Sequence, residues 1–433
     1  MPTQAFRNVA ISVTLVLICS AAPADHAAPN LVEHAEVLTA DGLAAWVLER
    51  NPGIIAIKAT AEAAAFRIEP AGSFDDPVMT YALAPLTVGG NQSLNQRFDL
   101  KQKIPWPGTL AARERAAQHE ANAAELDIDL LRLRVVAQAK ATYAEWHFVH
   151  SAMEIHHSTQ NLLDDLISTA ETRYAAGRAL KQDVLQGEVE QTNLEKHLFG
   201  LIRLEATVKA RINALLNRAP SEPLPPPGGL PEVTELYALE SMQRLAMAQH
   251  PELAQLETQI SASESRITLA EKAFYPDLQL DVGYNRLWDA TEKRTTIGVS
   301  INIPFNRSKR RSELGRAQAE RRSAEWTLIK RRAGLLADLA NAHAEVVEAK
   351  SSVDLIHDRL LPLSAEYLEA AIADYQSGIG AFLNVITAEQ RALDTELALA
   401  RARSDYARRV AELERWVGGP VDATAASTSG AQQ

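Results

Sequence analysis

The sequence predicts a mainly α-helical protein with a small membrane-type β-sheet, built from two structural repeats, each a β-hairpin plus a long coiled-coil α-hairpin. Three observations carry this. An ordered set of landmarks occurs twice: Asn51-Pro52, Ile104-Pro105-Trp106 and Tyr174-Ala175-Ala176-Gly177 return as His250-Pro251, Ile303-Pro304-Phe305 and Tyr375-Gln376-Ser377-Gly378, about 200 residues later; a duplication of that length builds one architecture from two like halves. Short stretches in each half alternate apolar and polar residues, as half-covered strands do. The remainder follows helical heptads sustained long enough to form a coiled coil.

The elements follow in chain order. Arg7, the apolar run Val9 to Ile18 and Ala22-Pro23-Ala24 read as a signal peptide over residues 1–24. Cys19, the only cysteine, leaves with it, so the mature chain has no thiol. Ile18 stands where lipid attachment at Cys19 would need a small residue, which argues against lipidation. Residues 25–218 form the first repeat: a helix, strands at about 77–105, then a helical hairpin with its tip near 174–180. In the strands Met79, Tyr81 and Leu83, then Phe98, Leu100 and Ile104, mark one apolar face. In the long helix that follows, Leu126, Leu130, Leu133, Ala137, Ala141 and Ala144 keep a heptad-like register. Residues 219–231, dense in proline, read as a stiff spacer over the surface.

Residues 232–418 repeat the plan, with strands at about 277–305 and a tip near 375–381. Leu278, Leu280, Val282 and Tyr284 form one apolar row; Ile297, Val299, Ile301, Ile303 and Phe305 form the next, with Trp288 at the turn between them. Such segments are close to the length of a strand crossing a bilayer at a tilt, and an aromatic at the turn suits the lipid–water interface. Four strands cannot close a barrel, so a membrane reading requires strands from further copies. The second helical hairpin carries a heptad seam through Leu335, Leu339, Ala342, Val346, Ala349, Val353, Ile356, Leu360, Leu363, Tyr367 and Ala370, in which Pro362 predicts a local bend. Gly177 and Gly378 suit the left-handed backbone that ends a helix. Residues 419–433 read as a disordered tail.

Composition narrows the functions. A net charge of −11 gives no basic surface for nucleic acid. Outside the signal no apolar run is long enough for a membrane helix. No nucleophile motif or phosphate-cradling glycine loop is present, so the sequence predicts neither an enzyme nor a cofactor, and energy for any transport must come from a partner. His150, Met153 and His157 lie at helical spacing and are weak candidate ligands for a soft or borderline metal; solvated or packed positions on a long amphipathic helix explain them better, and no metal is expected. Trp146, Phe148 and Trp326 read as helix packing.

The doubled series of hairpin strands, Ile-Pro-aromatic, long helix, Tyr-x-x-Gly and returning helix resembles the TolC-like outer-membrane efflux proteins, over residues 38–418. Lys103-Ile104-Pro105-Trp106-Pro107-Gly108 is especially similar to the heavy-metal efflux branch. The resemblance implies a homotrimer in the outer membrane of a Gram-negative bacterium, with a 12-stranded barrel in lipid and a helical tunnel in the periplasm. It implies as partners a periplasmic adaptor (membrane fusion protein) and an inner-membrane pump, with a drug or metal as cargo. It places adaptor docking at the tips, which here are Gly177, Arg178, Ala179, Gly378, Ile379 and Gly380. It places a periplasmic gate at Asp183 and Tyr375, and at Asn384 and Thr387, where relatives often carry aspartate. The alternative is a periplasmic coiled-coil adaptor without its own pore; two hairpins and two strand pairs argue against it.

Overall fold

A computed structural model describes residues 36–84, 95–230, 236–286 and 291–421. The predicted signal peptide with Cys19, and Trp288, lie outside the described residues. The long helices dominate. Helices α1 (Ala40–Arg50), α2 (Pro52–Ala65) and the short α3 (Ile68–Gly72) lead to strands β1 (Val78–Ala84) and β2 (Asn95–Ile104). Helix α4 (Thr109–Ala175) then runs for 67 residues, roughly 100 Å at the helical rise, and α5 (Lys181–Leu215) returns along it. The second repeat comprises α6 (Leu239–Gln249), α7 (Pro251–Lys272), β3 (Leu278–Asn285), β4 (Thr295–Ile301), α8 (Arg307–Leu355), α9 (Leu361–Ser377) and α10 (Phe382–Val417).

The repeated Asn51-Pro52 and His250-Pro251 marks are helix starts. Each proline opens its helix, where a missing N–H costs nothing, and the preceding side chain accepts the N–H of Gly53 or Glu252. The aspartate-free N-cap His250 does with Nδ1 what Asn51 does with its amide oxygen.

The two hairpins join in one antiparallel sheet of order β1-β2-β3-β4. Tyr81 pairs with Phe98, Phe98 with Tyr284 and Leu280 with Val299, so the apolar rows of both repeats share a face. That face is uncovered: Ile297 is 77% exposed and Met79 71%. The opposite face is a polar lattice, in which Asp281 accepts from Gln279 and Ser300 and Arg97 pairs with Asp99. An apolar face outside and a hydrogen-bonded polar face within is the arrangement of a sheet in lipid around water. Among the described strands β1 and β4 each keep one unpaired edge.

β4 stops at Ile301, short of the alternating run read as far as Phe305. The Asn302 N–H turns to the Asp277 carbonyl, Pro304 offers no donor, and the Phe305 N–H folds back to the Ile303 carbonyl.

Three buried clusters lie along the molecule. One joins α1, α4 and α5 around Tyr143 and Trp146; another, around Leu335, Leu339 and Met242, is its counterpart in the second repeat. The third, at the far end, is shared by both helical hairpins. The proline-rich segment is docked on the first cluster rather than free: Trp146 Nε1 donates to the Pro225 carbonyl, the Tyr143 hydroxyl to the Gly228 carbonyl at 2.9 Å, and Leu38 bridges to Pro227. The tail begins later than the sequence implied. Val421 is fully buried in the cluster around Leu335, Leu339 and Met242 and its carbonyl accepts from the Tyr237 N–H, so burial holds the chain past Gly418; residues 422–433 lie outside the described ones.

The heptad seam of the second hairpin is corrected midway. Leu335, Leu339, Ala342 and Val346 are buried as expected, but Leu360, Leu363 and Tyr367 are exposed, and Ser364, Ala371 and Tyr375 are buried instead. The cause is a π-helical turn at Ile356–Leu360, just before Pro362. One residue more per turn rotates the following helix, so the buried row moves one position along the chain. Trp326, expected to pack, is 68% exposed.

Candidate functional site

The far end of the helices brings both Tyr-x-x-Gly turns together. Gly177 has φ +70° and Gly378 φ +83°, the left-handed region where a Cβ is penalised. Each turn closes backward. Arg178 donates its N–H to the Arg173 carbonyl at 2.8 Å, and Ile379 and Gly380 both donate to the Asp374 carbonyl at 3.0 Å. The turns are tied across the hairpins by Arg173, whose guanidinium donates to the Gln376 carbonyl at 2.7 Å and lies 4.9 Å over the Tyr375 ring. Ile379 projects from the end at 84% exposure, and Arg178 of the other turn is also exposed.

Behind the turns lies the shared cluster. Tyr375 is 4% exposed, its ring edge-on to Phe382 at 5.1 Å, and the hydroxyl has no partner. Burial, then the negative charge of Asp183, raises the Tyr375 pKa, while Arg173 pulls it down. Asp183 and Tyr375, both named through the resemblance, are therefore in one electrostatic environment. Asn384 and Thr387 are not part of it: Asn384 is exposed, and the Thr387 hydroxyl is spent on the Leu383 carbonyl of its own helix at 2.8 Å. α5 crosses α4 closely at Gly187, where a Cβ would stand 2.5 Å from Ile167 Cγ1.

Arg173, Phe382 and Glu389 belong to this end and were missed in the sequence. Glu389 is 2% exposed, neither carboxylate oxygen has a partner, and burial followed by repulsion from Glu190 and Asp394 raises its pKa to about 7. In the repeat it falls 201 residues after Glu188, the same offset as Tyr375 from Tyr174, and Glu188 is exposed.

The histidine cluster disperses. His150 Nδ1 contacts the Trp146 carbonyl at 3.1 Å and its ring packs edge-on to the indole, while Met153 and His157 line a groove of about 300 Å³ between α4 and α5. Among the described residues no group of three or more His, Cys, Asp or Glu side chains is placed to hold a metal.

A sheet with its apolar face uncovered at one end, and long helices whose two turns are tied together at the other, have the layout of an outer-membrane channel with a periplasmic extension. Residues 243–419 match the family model described as outer membrane efflux protein. The chain is 22% identical over 300 residues to the cobalt-zinc-cadmium resistance protein CzcC of Cupriavidus metallidurans, covering 69% of each. It is 26% identical over 326 residues to the pyoverdine export outer membrane protein OpmQ of Pseudomonas aeruginosa, covering 69% of this chain and 64% of that one. The solved structure of the outer membrane protein VceC of Vibrio cholerae superposes with a TM-score of 0.74 at 20% identity, over 88% of this chain and 97% of that one, a likeness of fold. The family match, the relatives and the fold together support a TolC-like outer-membrane channel, with a link to the heavy-metal branch through CzcC. The chain is the outer-membrane channel component of an efflux pump, with a large periplasmic portion. Its family and fold are those of channel proteins, not enzymes.

Proposed function

We propose that three copies of the chain join their four-stranded sheets into one 12-stranded barrel, and their helical hairpins into one periplasmic tunnel. The duct is passive and serves a tripartite pump, with a periplasmic adaptor at the tips and an inner-membrane pump supplying energy. The observation that carries this is the sheet. It turns an uncovered apolar face outward and keeps unpaired edges on β1 and β4, which lipid does not tolerate. The helices agree: Val189, Phe199 and Ile202 on α5 and Leu360, Leu363 and Tyr367 around the start of α9 leave apolar rows uncovered in a single chain.

The tips Gly177, Arg178, Ala179, Gly378, Ile379 and Gly380 receive the adaptor, and Tyr375 with Asp183 holds the entrance shut. Three Asp183 carboxylates at one constriction favour cations over anions. Asn384 and Thr387 add no charge there, so block by divalent cations is weaker than a further carboxylate would make it. The match to CzcC supports metal cations as cargo, whereas OpmQ carries the name of a siderophore exporter; the inner-membrane pump sets the choice.

Planar-bilayer conductance of the detergent-extracted protein tests the duct: a non-conducting, freely soluble monomer would overturn it. Deletion should make cells more sensitive to cobalt, zinc or cadmium; unchanged metal sensitivity together with increased sensitivity to an organic toxicant would reassign the cargo. Asn384→Asp should strengthen divalent-cation block.

A further inference from the structure

The seam between β2 and β3 joins the two repeats inside one chain, and it has a distinctive lower end. Ile104 faces Leu278. Just beyond, the Trp106 ring stacks on Tyr275 with centroids 4.9 Å apart and planes 13° from parallel, and the Trp106 N–H donates to the Asp277 carboxylate at 3.2 Å. Lys103 approaches the same carboxylate at 3.6 Å. The sequence holds a second copy of both halves of this clasp. Ile303-Pro304-Phe305 repeats Ile104-Pro105-Trp106, and Phe74-Asp75-Asp76, ahead of β1, repeats Tyr275-Pro276-Asp277, ahead of β3. In a single chain these second halves lie at opposite edges of the sheet with nothing upon them: Phe305 is 86% exposed and Phe74 59%.

We infer that β4 of one copy pairs with β1 of the next in the register of the internal seam, and that Phe305 stacks on Phe74 of the neighbouring copy. The inference rests on the three-copy barrel proposed above and adds the seam's geometry. Replacing Ile104 by its counterpart Ile303, and Leu278 by Pro77, which follows Asp76 as Leu278 follows Asp277, sets Ile303 opposite Pro77. Antiparallel pairing then places Asn302 opposite Val78, Ile301 opposite Met79, Ser300 opposite Thr80, Val299 opposite Tyr81 and Ile297 opposite Leu83. This register passes two tests it was not built to pass. Apolar residues meet apolar residues along the whole row, so the lipid face continues across the boundary. Pro77, which has no N–H, falls at the start of its strand, where a ladder bond is not required. The clasp differs from its internal template in two respects. Asn302 stands where Lys103 stands, and the Phe305 N–H, counterpart of the Trp106 N–H that Asp277 accepts, is already turned to the Ile303 carbonyl, so the second seam keeps the aromatic stack but neither the ion pair nor the backbone bond to the carboxylate. The boundary between copies is thereby the weaker of the two seams.

Cys19 is the single cysteine of the sequence, so its replacement by serine leaves a background free of thiols. In that background, Ser300→Cys with Thr80→Cys should give a covalent trimer on denaturing gels after mild oxidation, since directly opposed residues in a ladder reach disulfide distance. Ser300→Cys with Ala82→Cys, the register two residues away, should give none. Preferential cross-linking of the Ala82 pair, or none from either pair in a protein that is trimeric by native mass, would overturn the register and leave the three-copy barrel standing. A species that is not trimeric by native mass would overturn both. Phe305→Ala and Phe74→Ala should each lower the temperature of trimer dissociation by a few degrees, and the double variant should lose less than the sum; full additivity would overturn the stack.

Discussion

The two helical tips carry the same motif and pack it in opposite ways. Tyr174 is 47% exposed at the end of α4, while Tyr375, its counterpart, is 4% exposed and packed between Arg173 and Phe382. Glu188 is exposed on α5, while Glu389 is buried at the equivalent turn of α10 with no hydrogen-bond partner. The first tip thus contributes an arm, Arg173, and the second tip contributes the core that the arm clamps. A duplication need not yield two equal gates. On the gating role proposed above, one repeat supplies the lock and the other its latch.

The largest break in this comparison should come from truncating the lock. Tyr375→Ala or Phe382→Ala removes an aromatic from the shared cluster and should cost about 3–5 kcal/mol of local packing, whereas Tyr174→Ala should stay within about 0.5 kcal/mol. The readout is entry of large antibiotics into cells and protease cleavage at the tips, both raised by the first two variants only. Tyr375→Phe sharpens the point. Because the hydroxyl is buried without a partner, its loss should leave the tip closed or tighten it.

Next comes the carboxylate. Glu389 has a folded-state pKa raised from 4.5 to about 7, so the packed tip holds its proton where an opened one releases it. The stabilisation is complete below about pH 4.5 and is lost as pH rises through 7; the difference between the limits is up to about 3 kcal/mol. The groups facing it are Glu190 from α5 and Asp394 on its own helix, and Glu190 is itself held by Gln390 at 2.7 Å. Channel opening in bilayers should therefore increase from pH 6 to pH 8. Glu389→Gln should abolish that dependence and keep the tip closed, while Glu188→Gln should change neither. A pH profile unaltered by Glu389→Gln would remove the carboxylate from the lock.

How much of this was legible beforehand follows from the range of the interactions. The repeat, both hairpins, the face of each strand and the two left-handed glycines were readable because periodicity and turn chemistry are local. The seam beyond Val353 was misread because a π turn is one inserted residue, which a heptad count passes over; only Pro362 hinted at it. Asp183 and Tyr375 entered through resemblance, and their proximity is a tertiary fact. Glu389 could not be recognised at all. Glu188 and Glu389 look alike in sequence, and only the packing of four helices decides which is desolvated.

The finest test concerns the latch. Arg173 makes one hydrogen bond, to the Gln376 carbonyl, and one cation–π contact, to Tyr375, at a partly exposed site. Arg173→Ala should cost about 1–2 kcal/mol. It should loosen the tip less than Tyr375→Ala does. Arg173→Lys retains the charge but loses the planar guanidinium that reaches the carbonyl and the ring together, so its effect should fall between those of the wild type and Arg173→Ala. A double-mutant cycle with Tyr375→Leu isolates the ring contact: about 1 kcal/mol of coupling is expected. Coupling indistinguishable from zero would mean that Arg173 acts only through Gln376, and that the clamp between the repeats is a backbone contact, not an aromatic one.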